Sequence, residues 1–260
     1  MSLSLDDDLA LALRLADAAD LISAAAFTGD AVAHELKADG SPVSATDLTV
    51  ERRISEIVAA ERPADGVLGE EVGESGLPGR RWIVDGIDGT VLFVAGLPGW
   101  ATEIALEADG EVVVGVSSSG GDGRRWWAAR GGGAWHAVGG GPAQRVHVSD
   151  RRELAGGRHS LIPPLDALEP RRRALVDGLG TGTDYVPPVE HGALFVADGR
   201  VDACVQLGGG AWDFAALSVI VEEAGGRFSD LHRRHDVYGG GPVVFSNGHV
   251  HDAVLATLGA

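Results

Sequence analysis

Two carboxylates lie three positions apart at the end of a predicted strand, within residues 82–93. Asp85 directly follows an apolar run, and Asp88 precedes Gly89 and Thr90, where a helix can begin. Carboxylate oxygens bind hard divalent cations, and free N–H groups at a helix N-terminus bind phosphate. A cation site and a phosphate site in one turn indicate phosphoryl chemistry.

Two further acids occupy comparable positions. Glu70 follows a short predicted strand at 67–69, and Asp213 begins a strongly apolar predicted helix at 213–224. Either acid alone is more typical of a helix cap or a solvated loop, because aspartate and glutamate usually stay at the surface. Acids at the ends of strands and helices are, however, held rigidly, as a metal site requires. We therefore expect the four acids to meet in one site.

The composition limits the class of protein. The chain has 260 residues, of which 45% are hydrophobic, which is enough for a large core. The formal net charge of −17 argues against nucleic acid polymers and anionic membranes as partners. A bound cation would reverse the local field at the point where an anionic substrate sits.

Three features favour a cytoplasmic protein. No run of about 18 apolar residues predicts a membrane-spanning helix. Residues 6–8 are aspartates, where a signal peptide needs positive charge and an apolar core. The single cysteine, Cys204, excludes an internal disulfide and is expected to lie in the core.

Periodicity predicts the elements that must position the acids. Leu and Ala at helical spacing predict a long helix at 5–34, and Thr46 is the expected N-cap of a second helix that starts at Asp47. Alternating segments at 101–107 and 111–117 flank an Asp-Gly pair and predict a hairpin. Further strands are predicted around the glycine turn of 124–135, at 201–205 and at 242–246, and further helices at 190–198 and 249–258.

We expect one domain over residues 1–260, because the sequence contains no repeat and no low-complexity linker. A soft boundary near 140–146 divides it into a metal- and phosphate-binding half at 1–145 and a substrate-recognition half at 146–260.

Several of these segments resemble one known family. GVLGEE, WIVDGIDGT and AWDFAALSVIVEEAGGR are similar, in this order, to the signature segments of the inositol monophosphatase family. SPVSATDLTVERRI resembles the family's segment around an aspartate, here Asp47. RRWWAARGGGAW and VADGRVDA look most like the actinobacterial histidinol-phosphate phosphatases of that family.

The resemblance implies an α/β (α+β) fold, a layered αβαβα sandwich of the inositol monophosphatase and fructose-bisphosphatase type. It also implies a phosphomonoesterase that uses two or three Mg²⁺ ions and forms a homodimer. By motif position the metal ligands are the carboxylates of Glu70, Asp85, Asp88 and Asp213 and the carbonyl of Ile87.

The same resemblance assigns the remaining roles. Asp47 and Thr90, together with Glu70, would orient the attacking water, and the amides of Gly89 and Thr90 would bind phosphate. The chemistry of the residues agrees, since oxygen ligands suit Mg²⁺ and two cations can neutralise phosphate oxygens and activate a water. No serine or cysteine nucleophile motif is present, which favours direct attack by water.

The chain departs from the family at three places. Gly86 replaces the usual proline. Because glycine loses more backbone entropy on folding, at a cost of ~0.5–1 kcal/mol, we expect a looser loop. Leu92 replaces a polar asparagine. The segment 187–195, PPVEHGALF, replaces the element with which relatives contact the alcohol part of the substrate, so Glu190 and His191 become candidate substrate-binding residues. A lone histidine is nevertheless more often structural.

Lys37 has two interpretations, because it lies in a polar loop before Asp47 and can either approach the phosphate or stay solvated.

The leading functional hypothesis is Mg²⁺-dependent hydrolysis of a phosphate monoester of a small polar metabolite, such as histidinol phosphate, an inositol phosphate, or a sugar or cyclitol phosphate. One alternative is a phosphatase of nucleotides or nucleoside (bis)phosphates. A second is a non-catalytic family member that binds metal or phosphate.

Overall fold

Helices and strands alternate along the chain. The computed structural model describes residues 4–77 and 79–260. The helices are α1 (Leu5–Ala26), α2 (Ala45–Glu61), α3 (Thr90–Val94), α4 (Pro170–Val176), α5 (Gly192–Ala197), α6 (Ala211–Glu223) and α7 (His251–Thr257). The strands are β1 (His34–Leu36), β2 (Pro42–Ser44), β3 (Gly66–Gly69), β4 (Gly73–Ser75), β5 (Arg81–Asp88), β6 (Ala101–Ala108), β7 (Glu111–Ser118), β8 (Arg124–Ala129), β9 (Gly133–Val138), β10 (Gln144–Val146), β11 (Gly157–Ile162), β12 (Thr183–Tyr185), β13 (Ala203–Gln206), β14 (Arg227–Asp230) and β15 (Val243–Ser246). Two short 3₁₀ helices lie at Leu165–Ala167 and Leu179–Thr181.

The strands form a small hairpin and two larger sheets. β1 pairs with β2 alone. The eight-stranded sheet has the order β10-β9-β8-β7-β6-β5-β3-β4, and the five-stranded sheet has the order β12-β11-β13-β15-β14. Only residues before the predicted boundary near 140–146 contribute to the larger sheet, apart from β10, which reaches Val146. The division of the chain into two halves stays a prediction.

Hydrophobic clusters join five layers of helices and sheets. Residues of α1 and α2 pack on one face of the eight-stranded sheet. α5 and α6 lie between the two sheets and contact both. α4 and α7 cover the outer face of the five-stranded sheet. The layers are thus αβαβα, which confirms the predicted fold class.

The start of the chain differs from the prediction. α1 begins after the N-cap Ser4 and ends at Ala26, so the expected helix at 5–34 is eight residues too long. Phe27 leaves the helix in an extended conformation, and its ring packs against Trp100 with centroids 5.2 Å apart. Tertiary packing by this aromatic ring therefore ends the helical pattern, and the residues that follow form the β1–β2 hairpin.

The second helix begins two residues earlier than predicted. Ser44, not Thr46, is the N-cap of α2. Ser44 and Asp47 form a capping box in which the serine and aspartate side chains satisfy each other's backbone N–H groups.

The expected hairpin is present, and Asp109 and Gly110 form its turn with φ values of 54° and 80°. The remaining elements at 190–198, 201–205, 213–224, 242–246 and 249–258 lie within two residues of their predicted bounds.

Strand alternation decides which side chains of β5 reach the site. Trp82 and Val84 belong to the cluster shared with α1 and α2, whereas Ile83 faces α5 and α6. Because successive side chains of a strand point to opposite faces, Asp85 follows Ile83 onto the central face.

A glycine allows α6 to approach that face closely. A Cβ at Gly115 on β7 would lie 2.4 Å from the carbonyl oxygen of Ala216 on α6, so any larger residue would separate helix and sheet. The close contact positions Asp213, in the first turn of α6, near the sheet. Among the described residues, none of the helices is long and apolar enough to cross a membrane.

Candidate metal and phosphate site

Three predicted metal ligands converge between the sheets. Asp85, Asp88 and Asp213 each present one carboxylate oxygen, and these atoms lie within 4.8 Å of one another. Asp85 and Asp88 end β5, and Asp213 lies in the first turn of α6. The Oδ2 atom of Asp213 accepts a hydrogen bond of 2.5 Å from the N–H of Gly210, which fixes the orientation of the carboxylate.

A β-bulge brings the two acids of β5 to the same face. Asp85 pairs with Glu103 and Asp88 pairs with Ala101, so three steps along β5 match two steps along β6. In a regular strand, residues three positions apart would point to opposite faces. The extra residue of the bulge brings the side chain of Asp88 back to the face that carries Asp85.

Crowding of buried acids raises their pKa values. Burial, with the charges of Asp213 and Glu70, raises the pKa of Asp88 to about 8. Burial also raises the pKa of Asp213 to about 6, although the Gly210 N–H opposes the shift. The pKa of Asp85 rises for the same reasons, burial first and the charge of Glu70 second. Because the donors are all carboxylate oxygens that repel one another, the cluster fits a hard divalent cation such as Mg²⁺.

Glu70 lies beside this cluster but binds a lysine. The Nζ atom of Lys37 is 2.7 Å from Oε1 of Glu70, and it also pairs with Glu71. Partial burial disfavours the lysine charge, but the hydrogen bonds that Lys37 donates to the two glutamates outweigh this effect and raise its pKa. The structure therefore favours the interpretation in which Lys37 lies near the candidate site rather than in solvent.

Thr90 connects the metal loop with α2. Its hydroxyl lies 3.2 Å from Oδ1 of Asp47 and 2.9 Å from the carbonyl oxygen of Ile87, and its single proton can be donated to either. The other oxygen of Asp47 accepts hydrogen bonds from the N–H and hydroxyl of Ser44 at 3.0 and 2.6 Å. Burial nevertheless raises the pKa of Asp47. Gly89 precedes α3 in the left-handed conformation, with φ 79°.

Glu51 is a residue of this region that the sequence prediction missed. It is 1% exposed, and its carboxylate accepts hydrogen bonds from the backbone N–H groups of Glu71 at 3.0 Å, Val72 at 2.9 Å and Gly86 at 3.4 Å. Burial raises the pKa of Glu51 to about 7. One carboxylate thus holds both acid-bearing loops. A glutamate between Val50 and Ile54 on the buried side of a predicted helix was the available signal.

Gly86 has a packing role that also differs from expectation. A Cβ at this position would lie 2.6 Å from the carbonyl oxygen of Asp47, so there is no room for one. The Gly86 carbonyl accepts a hydrogen bond of 2.8 Å from the Thr102 hydroxyl. The loop is therefore tightly packed against α2, and nothing in these contacts supports the looser loop expected from the sequence.

A narrow pocket next to Asp88 contains the predicted substrate-binding residues. Glu190 and His191 line it together with Ser117, Arg124 and Trp126. The Oε1 atom of Glu190 is 2.6 Å from Arg200 and 3.2 Å from Arg124. Glu190 thus lies at the right place for contact with a substrate, and it already has two cationic partners.

The contacts of His191 favour a structural role. Its Nδ1 accepts the N–H of Ala193 at 3.1 Å and so caps α5, and its Nε2 is 3.0 Å from Oε1 of Gln206. Burial lowers the pKa of His191 to about 4, so the ring is neutral near pH 7. Both ring nitrogens are occupied by the protein.

A five-layered sandwich with a carboxylate cluster between its sheets fits the class of metal-dependent phosphatases. The model of the inositol monophosphatase family matches residues 4–259. The chain belongs to this family, and the predicted class, a phosphatase of phosphate monoesters, is confirmed at the level of the family.

Individual relatives differ in their names. A histidinol-phosphatase of Mycobacterium tuberculosis is 42% identical over 260 residues, which cover 98% of each protein. A Streptomyces griseus protein named glucose-1-phosphate thymidylyltransferase is 43% identical over 238 residues, 87% of this chain and 86% of that protein. Among solved structures, an IMPase from Thermotoga maritima has a TM-score of 0.84 at 27% identity and covers 97% of both chains.

Proposed function

We propose that this protein hydrolyses the phosphate monoester of a small polar metabolite with the help of Mg²⁺, and that histidinol phosphate is the first substrate to test. The observation that carries the proposal is the convergence of Asp85, Asp88 and Asp213 within 4.8 Å beside the Thr90–Asp47 pair. The 42% identity to a histidinol-phosphatase over nearly the whole chain supports this choice of substrate. The name of the Streptomyces griseus relative keeps sugar phosphates as the second candidates.

The proposed ligands are the carboxylates of Glu70, Asp85, Asp88 and Asp213 and the carbonyl of Ile87, for two or three ions. When bound, Mg²⁺ would neutralise phosphate oxygens and lower the pKa of a water molecule. For Glu70 to bind a cation, its contact with Lys37 must open.

Residues of the chain supply the remaining functions. The Thr90 hydroxyl can pass its proton to Asp47 while it orients the attacking water, and the raised pKa of Asp47 makes this carboxylate a better acceptor. The amides of Gly89 and Thr90 are proposed to bind the phosphate. Glu190 is proposed to contact the alcohol part of the substrate.

The test is phosphate release from a panel of esters with either Mg²⁺ or excess EDTA. The panel contains histidinol phosphate, inositol 1-phosphate, glucose 1-phosphate, a nucleoside 3′-phosphate and an aryl phosphate. We expect turnover only with Mg²⁺, fastest with histidinol phosphate, and inhibition by Ca²⁺, because Ca²⁺ tolerates a looser geometry than octahedral Mg²⁺.

Each other outcome selects a different function. Full activity in EDTA would rule out the metal mechanism. Preference for the nucleoside phosphate would favour the nucleotide-phosphatase alternative. Binding of Mg²⁺ without turnover of any ester would favour the non-catalytic alternative.

We also propose that the protein is a cytoplasmic homodimer. Val91, Leu97 and Val189 are all more than half exposed, and the segments that carry them meet at Gly99, where an added Cβ would lie 3.0 Å from the carbonyl oxygen of Val189 and 3.1 Å from Cδ1 of Leu92. Such a patch is typical of an interface between subunits. Sedimentation of the full chain should give the mass of two copies, and a monomer at micromolar concentration would contradict the dimer.

A further inference from the structure

Glu103 on β6 is a buried acid that lacks sufficient partners. Its exposure is 0%, and its Oε1 atom accepts one hydrogen bond of 2.6 Å from the Ser117 hydroxyl. Its Oε2 atom is buried and has no hydrogen-bond partner among the described residues. A buried carboxylate oxygen without a partner is costly, so something else must compensate for it.

Other buried acids of this protein have stronger compensation. Asp8 and Asp65 share the guanidinium of Arg80, and Glu51 accepts three backbone N–H groups. In the part of the chain that the structure describes, no cationic side chain pairs with Glu103. Among the residues that the structure describes, the Glu103 carboxylate therefore has one partner, the Ser117 hydroxyl.

The sheet register places Glu103 beside the cation cluster. Its Cα is paired with that of Asp85 on β5 and with that of Ser117 on β7, so the three residues form a row across the sheet. Ile104 and Leu106 belong to the hydrophobic cluster shared with α1 and α2. Because side chains alternate along a strand, Glu103 points to the opposite, central face, as Asp85 does. Directly opposed residues of antiparallel strands have Cβ atoms about 5 Å apart.

The surrounding charges agree with this placement. Burial first, and then the charge of Asp88, raise the pKa of Glu103 well above its usual range, with a smaller effect from Asp213. Two of the acids that form the cluster are thus close enough to Glu103 to disfavour its charge. The positive charge of a cation bound by these acids would also stabilise a negative charge on Glu103.

We infer that Glu103 is an additional carboxylate of the cation centre, a positioning residue whose charge strengthens divalent-cation binding by Asp85, Asp88 and Asp213. This inference rests on the proposed function, because it requires a cation in the cluster. Groups immediately behind metal ligands typically change metal affinity by about 10- to 100-fold when they are replaced. A single charge without direct ligation is expected near the lower limit of that range.

The test measures the Kd of Mg²⁺ for the full-length protein by calorimetry, together with the thermal unfolding midpoint in EDTA. Glu103→Gln keeps the shape and removes the charge, and Glu103→Ser removes the charge with a smaller side chain. Ser117→Ala is the matched control, because it deletes the hydrogen bond to Glu103 but keeps the charge.

We expect both Glu103 variants to bind Mg²⁺ roughly tenfold more weakly than the parent, with Ser117→Ala within about twofold. The unfolding midpoints of the Glu103 variants in EDTA should equal or exceed that of the parent, because a buried acid with an unpartnered oxygen has been removed. A parent-like Kd in the folded Glu103 variants would overturn the inference, as would an equal loss in Ser117→Ala, which would indicate a packing effect.

A further variant separates failure of this inference from failure of the proposed function. Asp213→Asn should abolish measurable Mg²⁺ binding if the cluster is a cation site. If Asp213→Asn weakens binding and the Glu103 variants do not, only the role of Glu103 is wrong. If the parent protein binds no Mg²⁺, the proposed function itself is wrong.

Discussion

Asp88 illustrates how a residue with a proposed function can be unfavourable for the stability of the fold. Burial and the neighbouring charges raise its pKa to about 8, so its ionised form is unfavourable in the folded protein without a cation. The same repulsion becomes a source of binding energy when a divalent cation enters the cluster. Residues that are costly for the fold in this way are typical of functional sites.

Replacement of the cluster acids should therefore have opposite effects on activity and stability. We expect Asp88→Asn and Asp213→Asn each to lower kcat at least ~100-fold, because each removes a proposed metal ligand and with it several kcal/mol of transition-state stabilisation. Both variants should fold and unfold in EDTA at a temperature equal to or above that of the parent. Steady-state kinetics and calorimetry check the two effects, and near-normal rates would show that these acids are not ligands.

Glu190 gives a prediction about substrate choice. We expect Glu190→Gln to lower kcat/KM for the best substrate by roughly 5- to 150-fold, the range for a polar contact worth about 1–3 kcal/mol. An aryl phosphate should be affected little, because it lacks the polar alcohol part. Equal loss on both substrates would instead indicate that Glu190 only orders Arg124 and Arg200, whose nitrogens lie 3.2 and 2.6 Å away.

At the scale of elements, the contact between α2 and the end of β5 organises the site. The first turn of α2 carries Asp47, which reaches Thr90, and the next turn carries Glu51, which holds the loop after β3 and, through the N–H of Gly86, the end of β5. Gly86 is the point where the two elements come closest. The geometry of the site therefore depends on a helix–strand distance that a single methyl group can change.

Gly86→Ala tests this contact. The added Cβ would lie 2.6 Å from the Asp47 carbonyl oxygen and push α2 away from β5. We expect a loss of about 1–3 kcal/mol in the free energy of unfolding, the usual cost of overpacking, together with a lower kcat. Gly180→Ala is the control, because a Cβ there meets no atom within 4 Å. Urea unfolding and kinetics measure both quantities, and equal stability of the two variants would contradict the close contact.

At the scale of the whole molecule, buried histidines couple the fold to pH. His251 is 0% exposed and lies between the hydroxyls of Ser229 and Ser246, each 2.8 Å from a ring nitrogen. Burial lowers the pKa of His251 to about 4, as it does for His191. A folded-state pKa below the unfolded value of 6.5 means that the unfolded chain binds more protons between these two pH values.

The stabilisation from neutral His251 should therefore be complete above pH 6.5 and be lost as the pH falls through 6.5 towards 4. Its full size is about 3 kcal/mol for a shift of this magnitude. The measurement is urea unfolding at a series of pH values in EDTA for the parent and for His251→Asn. The difference between the two should shrink as the pH falls from 6.5 towards 4, and a constant difference would contradict the prediction.

The elements and part of the candidate site could be predicted from local patterns, whereas the layered fold was implied by the resemblance to a known family. Hydrophobic periodicity fixes the type of most elements, and the acids at the ends of β3, β5 and α6 can be recognised from the residues around them. Tertiary contacts decided the exceptions. α1 ends early, where Phe27 packs on Trp100, and Ser44, two positions before Thr46, is the N-cap of α2.

The sequence by itself identified the acids that are proposed to bind metal, since Asp85, Asp88 and Asp213 lie at the ends of elements and carboxylates suit a hard cation. Only the tertiary structure decided what surrounds them. Lys37 meets Glu70, Glu51 holds two loops, and Glu103 stands behind the cluster because of a strand register. These contacts join residues far apart in the chain, and their geometry depends on packing distances between layers. Local propensity carries no information about such distances.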